Sequence, residues 1–76
     1  MSQAPVVTAR QLMSALRKLG FVQTRSRGSH RRFEHPDGRK TTVPVHRGRD
    51  IPRGLLRQIV TIDVGITMNE FTALLR

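Results

Sequence analysis

The apolar residues between Thr8 and Gly20 recur at helical spacing. Leu12, Leu16 and Leu19 stand at i, i+4 and i+7, and polar residues occupy most of the positions between them. This pattern predicts an amphipathic α-helix that presents one face to a core. Thr8 is a favoured residue type for the N-cap, and Gly20 suits the position just past the helix end.

The next segment alternates between apolar and polar side chains, which is typical of strands. Gly and Pro residues divide it, and the division predicts three strands: Phe21–Ser26, Ser29–His35 and Thr41–His46. Arg27-Gly28 and Pro36-Asp37-Gly38 are the predicted turns. Pro44 has no N–H to donate, so either an edge position or an irregularity of the strand is expected there.

The alternation also predicts which side chains share a face of the sheet. A turn of odd length after His35 keeps odd-numbered residues on one face across both strands. Phe33, Val43 and Val45 are then expected on the buried face, and His35 is interpreted as lying outside any site. The opposite face is expected to carry His30, Arg32, Thr42 and His46.

The C-terminal third of the chain predicts two further helices. Pro52 suits a first helical turn, and Gly65 a helix end. The apolar stripe between them is predicted to consist of Leu55, Leu56, Ile59, Val60 and Ile62. Thr67 and Glu70 have capping-box spacing and open a short last helix with Phe71, Leu74 and Leu75 on its apolar side. The predicted order is α-β-β-β-α with a short extra C-terminal helix. This is an α+β fold in which helices cover one face of a three-stranded antiparallel sheet.

The length of 76 residues allows one domain. Residues 1–7 contain Pro5 and no periodic pattern, which predicts a flexible N-terminal tail, and residues 8–76 form the predicted single domain. No cysteine is present, so disulfides and thiol chemistry are excluded. No apolar run approaches the ~18 residues of a membrane span, and the first residues lack an export signal. A soluble, cytoplasmic protein is therefore expected.

The chain is strongly basic. The chain has 14 Lys and Arg against 5 Asp and Glu, a formal net charge of +9, which favours a polyanionic partner. A GC-rich coding sequence, which favours arginine, together with a solvated surface explains part of this excess of positive charge as well as a binding role does. The basic residues nevertheless cluster centrally, and none lies between Gln58 and Leu75. The central cluster comprises Arg25, Arg27, Arg31, Arg32, Arg39, Lys40, Arg47, Arg49 and Arg53. Aromatic residues are too few for a base-stacking platform.

Several short motifs stand in an order that resembles one known family. They are Gly20-Phe21, Arg27-Gly28-Ser29-His30 with Phe33, Val43-Pro44-Val45-His46, Gly54-Leu55-Leu56-Arg57-Gln58-Ile59, Gly65-Ile66 and Glu70-Phe71. Over residues 8–75 the chain resembles the HicA toxins of bacterial and archaeal toxin–antitoxin pairs. It departs from them in an N-terminal extension and a long basic loop at residues 47–53.

The resemblance implies both a fold and an activity. Family members have a double-stranded-RNA-binding-domain-like fold, and they are mRNA interferases, endoribonucleases that cut mRNA without the ribosome and arrest growth. The resemblance implies that His30, in the Gly-Ser-His segment, is the catalytic residue. It also implies a HicB-type antitoxin as the neutralising partner.

The residue types agree with metal-free RNA cleavage. Such an enzyme removes a proton from the 2′-OH, stabilises the charge on the phosphoryl oxygens and protonates the leaving oxygen. Histidine suits the proton steps because its ordinary pKa is ~6.5. We expect His30 to act as general base or acid, whereas His46 is either a second acid–base group or a residue that orients a loop. The predicted RNA-binding residues are Arg25, Arg27, Gly28, Ser29, Arg32 and Arg47.

Other chemistries are disfavoured by the sequence. Three histidines without cysteine and with few carboxylates make a poor zinc set, and no phosphate-cradling glycine motif occurs, so neither a metal nor another cofactor is expected. Two rival functions remain. One is a non-catalytic RNA-binding module on the same basic face, and the other is a DNA-binding element, for which Arg53 and Arg57 are a thin basis for base readout.

Overall fold

The computed structural model describes residues 5–76, and residues 1–4 of the predicted tail lie outside this range. The first helix, α1 (Ala9–Lys18), begins at the predicted cap. The Gln11 N–H donates to Thr8 Oγ1 at 3.2 Å, and the Thr8 N–H donates to Gln11 Oε1 at 2.9 Å. This capping box satisfies two donors that helix geometry leaves free. Gly20 follows the helix with φ of +97°, a conformation that favours glycine.

Three strands form one antiparallel sheet in the order β1-β2-β3. Their bounds are β1 (Val22–Arg27), β2 (His30–Glu34) and β3 (Lys40–Pro44). The strand predictions are confirmed in number and order, with ends shifted by one or two residues. Pro44 lies at the end of an edge strand, where its missing N–H breaks no ladder hydrogen bond with a further strand.

The pairing of β2 with β3 confirms the predicted faces. Phe33 lies opposite Thr41, and Arg32 lies opposite Thr42. Phe33 and Val43 are fully buried on the face covered by helices, whereas His30 is exposed on the other face. The alternation ends at Pro44, so the predicted register does not hold as far as His46. Val45 is half-buried.

The segment after Pro52 is helical, but not in one regular helix. The helix α2 (Arg53–Gln58) continues as a π-helical segment (Ile59–Val64), and α3 (Met68–Leu74) follows. The predicted place of Ile62 in the apolar stripe is wrong, because 72% of its surface is exposed. A π-helical turn contains more residues than an α-helical one, so the inward face shifts along the sequence. Val64 is buried instead. The predicted capping box of α3 is confirmed, with the Glu70 N–H donating to Thr67 Oγ1.

The chain on both sides of Thr8 is tied to the domain. Val7, which the sequence pattern assigns to the tail, is fully buried in the core. Its carbonyl oxygen accepts a hydrogen bond from the Ile51 N–H at 2.8 Å, and Thr8 forms a β-bridge with Asp50. The loop that precedes α2 is therefore fixed against the start of α1.

The core lies between the helices and one face of β2 and β3. Its largest buried side chains are Phe21, Phe33, Phe71, Leu12, Leu16, Leu56 and Ile59. All six residues of β1 are exposed, so this strand contributes no buried side chain to the core. Among residues 5–76, none of the helices is long and apolar enough to cross a bilayer.

Candidate functional site

A basic cavity of about 230 Å³ opens on the face of the sheet that the helices leave uncovered. Its lining consists of Arg25, Arg27, His30, Arg32 and Thr42. We call it the His30 cavity. All three strands contribute, so the site exists only when the sheet is paired.

A β-bulge determines which residues of β1 reach this cavity. Gln23 pairs with Phe33, but Arg25 pairs with Arg32, so the register shifts between Gln23 and Arg25. Such a shift reverses which residues of a strand face each side. Beyond the bulge, Arg25 and Arg27 therefore lie on the same face as their partners in β2, and Arg27 pairs directly with His30.

The turn between β1 and β2 holds His30 in place. Gly28 has φ of +58° at the first position of this two-residue turn, where a type II′ hairpin requires glycine. The guanidinium of Arg31, on the helix-covered side of the sheet, donates to the Gly28 carbonyl at 2.7 Å. The Ser29 carbonyl accepts from the Val45 N–H at 2.6 Å, which ties the turn to the end of β3. His30 is thus exposed but supported on both sides.

The charges of the His30 cavity are unbalanced. Arg25 and Arg32 are directly opposed across two strands, an arrangement of like charges that destabilises a sheet. Glu34 pairs with one of these arginines: its carboxylate lies 3.8 Å from Arg32 Nε and also accepts from the Thr24 hydroxyl at 3.0 Å. None of the five lining residues is acidic. An anion in the cavity would relieve this repulsion and accept hydrogen bonds from the guanidinium groups.

Two of the predicted site residues lie elsewhere. His46 and Arg47 line a second depression of about 390 Å³, which the His30 cavity does not share. Its rim is the loop between β3 and α2, together with the start of α1. Arg49, a member of the central basic cluster, and Arg10, which the sequence does not single out, line the same depression. Arg10 is distant in the sequence from the basic loop, and only the backbone contact of residues 7–8 with residues 50–51 brings it there.

His35 has a structural environment. Its Nε2 lies 3.2 Å from the Leu19 carbonyl oxygen, and its Nδ1 accepts from the Asp37 N–H at 3.1 Å. The ring packs edge-on against Phe21 at 5.1 Å. Beside it, the Arg39 backbone N–H and guanidinium both donate to Asp37 and lower the pKa of that carboxyl. These contacts join the β2–β3 turn to the end of α1.

The described residues do not assemble a metal-binding group. Within residues 5–76, no three His, Asp or Glu side chains come together as potential ligands. The His30 cavity itself presents one imidazole, three guanidinium groups and one hydroxyl.

The fold and the cavity together define a small α+β protein with a basic, histidine-containing site on an open sheet face. The family model described as "HicA toxin of bacterial toxin-antitoxin" matches residues 9–66, which is most of the chain and includes the whole sheet. The chain belongs to the HicA toxin family. No curated protein matches the chain closely enough to count as a relative. Members of this family are generally ribonuclease-type toxins that are paired with an antitoxin.

Proposed function

We propose that this protein is a ribosome-independent endoribonuclease that cleaves mRNA at the His30 cavity. The observation that carries the proposal is the position of His30, exposed among Arg25, Arg27 and Arg32 on a face that no helix covers. The family match supports a toxin of this kind. Three guanidinium groups suit the phosphate backbone, and an exposed imidazole suits proton transfer at neutral pH.

The proposed reaction uses the nucleophile that RNA itself carries. Neutral His30 accepts the proton of a ribose 2′-OH, and the 2′-oxygen attacks the adjacent phosphorus. The arginines stabilise the additional negative charge on the phosphoryl oxygens in the transition state. The bond from phosphorus to the 5′-oxygen then breaks, and the His30 imidazolium returns its proton to that oxygen. The products are a 2′,3′-cyclic phosphate and a free 5′-hydroxyl.

This mechanism assigns both proton steps to His30. His46 lines the other depression, so a second histidine in direct contact with the same phosphate is not part of the proposal. Thr42 lines the His30 cavity beside Arg32, and its hydroxyl is a donor within the site.

The decisive test compares the native protein with His30→Ala. Because His30 is exposed, the variant should keep its unfolding temperature and lose cleavage by about 10²–10⁴-fold. The native protein should leave the all-deoxy analogue of the same oligonucleotide intact, because DNA lacks the 2′-OH. Gel analysis of end-labelled RNA measures both. Undiminished cleavage by His30→Ala, or cleavage of the deoxy analogue, would overturn the proposal.

The same experiment distinguishes the proposed ribonuclease from the alternative function. A non-catalytic RNA-binding module with this basic face would bind RNA with strong salt dependence and leave it uncut. In that case the native protein and His30→Ala would give the same intact RNA.

For the partner, we propose a HicB-type antitoxin whose acidic groups cover the His30 cavity. An inhibitor of this site must neutralise the arginines that would hold phosphate, and carboxylates do so with fast association. In the complex, amide exchange in β2 should slow and cleavage should stop. Inhibition with unchanged exchange in β2 would place the antitoxin elsewhere.

A further inference from the structure

We propose that the second depression binds another phosphate of the same RNA strand, so that the protein grips its substrate at two points. This inference rests on the proposed function, since it assumes that the strand occupies the His30 cavity. It gives the basic loop of residues 47–53 a binding role and makes His46 a binding residue, not a catalytic one.

The lining of this depression has the chemistry of an anion site. Arg10, Arg47 and Arg49 contribute three guanidinium groups and His46 an imidazole, against a single carboxylate from Asp50. All five of these residues are exposed. The ion pairs formed within residues 5–76 include none of these three arginines. Their positive charge is therefore available to a ligand.

The loop that carries these groups has a defined shape. The Arg49 N–H donates to the His46 carbonyl at 3.0 Å, and Gly48 takes φ of +75° in the turn between them. The bridge between Thr8 and Asp50 fixes the far end of the loop against α1. Fewer rotations must be frozen when a fixed loop binds, which favours a specific phosphate contact.

The two basic sites are close enough to hold one strand. His30 pairs with Pro44, and His46 follows two residues later, so the Cα atoms of Pro44 and His46 are at most about 7 Å apart. The Val45 N–H between them is bonded to the Ser29 carbonyl in the turn next to His30. The second depression therefore begins at the residues that follow β3, next to the strand end that pairs with His30, within reach of a neighbouring nucleotide.

The test measures binding in the His30→Ala background, where the RNA stays intact. The probe is a labelled single-stranded oligoribonucleotide of mixed sequence, titrated by fluorescence anisotropy over a salt series. Arg47→Gln combined with Arg49→Gln should weaken binding about tenfold at low salt, the effect of ~1.4 kcal/mol. The slope of log K against log salt should fall by about 0.7 for each phosphate that the variant no longer neutralises.

The control removes the same charge elsewhere. Arg57→Gln combined with Arg76→Gln alters two residues that line neither site, and it should keep the salt slope of the parent. Arg10→Gln, on a different element of the second depression, should act in the same direction as the loop variant. Unfolding temperatures of all variants show that the fold is intact.

Substrate length gives a second readout. The parent, which carries only His30→Ala, should bind the long oligonucleotide more tightly than a dinucleotide. In the loop variant, most of this difference in affinity should be lost. Equal salt slopes in parent and loop variant, or an equal loss in the control, would overturn the inference. The inference would also be overturned if the loop variant bound the acidic antitoxin more weakly but bound RNA as tightly as the parent. If His30→Ala cleaves RNA as well as the native protein, the proposed function is wrong. Equal salt slopes in the parent and the loop variant instead overturn only the second phosphate site.

Discussion

The two faces of the sheet are made from neighbouring residues with opposite roles. On the helix-covered face, Phe33 and Thr41 are buried and pair with each other across two strands. On the open face, Arg32 and Thr42 are one residue away and line the cavity that contains His30. The covered face stabilises the fold through apolar burial. The open face collects like charges, which costs stability and creates a site for an anion.

Mutations on the two faces should therefore have different effects. A change on the covered face should alter the free energy of unfolding and reach the chemistry only by unfolding the protein. A change on the open face should alter RNA binding or cleavage while the fold stays intact. Adjacent residues therefore form natural pairs for testing the division.

The largest effect on stability is expected for Phe33→Ala. Phe33 is fully buried, and its truncation leaves a cavity under the centre of the sheet. The expected cost is about 3–5 kcal/mol, a large part of the stability of so small a domain. Urea unfolding followed by circular dichroism measures it. His30→Ala, on the open face of the same strand, is the control. A comparable loss of stability in that variant would show that the two faces do not differ in their contribution to folding.

A smaller effect is expected for Thr41→Val. The buried Thr41 hydroxyl donates to Asp63 Oδ2 at 2.8 Å, which joins β3 to the π-helical segment. Valine keeps the shape but leaves the half-buried carboxylate without this donor, at a cost of about 1–3 kcal/mol. Thr42→Val is the matched control and should change unfolding by less than about 0.5 kcal/mol. If both variants unfold at the same urea concentration, the contact between Thr41 and Asp63 contributes nothing to stability.

The smallest effect concerns pH and involves neither face. The Thr67 N–H and hydroxyl at the start of α3 lower the pKa of Glu70. A carboxyl with a lowered folded-state pKa adds stability above its unfolded pKa, and this is lost as the pH falls through the folded value. Glu70→Gln should keep the capping box, as Gln11 does in α1, and flatten the acid side of the stability profile.

Urea midpoints from about pH 3 to about pH 7 measure this effect. Some acid sensitivity should remain in Glu70→Gln, because Asp37 also has a lowered pKa. Identical pH profiles for the native protein and the variant would show that Glu70 has no part in it.

Short-range patterns predicted much of the fold. The N-cap at Thr8, the capping box of Thr67 and Glu70, the number and order of strands and the faces of β2 and β3 follow from spacing that neighbouring residues impose on each other. The prediction for Ile62 is wrong because it assumes a regular α-helical period, and the π-helical segment that breaks this period packs against β3. Of the site, the open-face positions of His30 and Arg32 were predictable, since strand alternation decides them.

Local sequence patterns were enough to locate the helices and strands and to assign the two faces of β2 and β3, because these features depend on contacts within a few residues. How the basic residues are grouped depends instead on tertiary contacts. The bulge in β1 brings Arg25 and Arg27 to His30, and the pairing of residues 7–8 with residues 50–51 brings Arg10 to the loop of His46. Both depend on pairing between segments, and nothing in the local alternation encodes a register shift or a long-range contact.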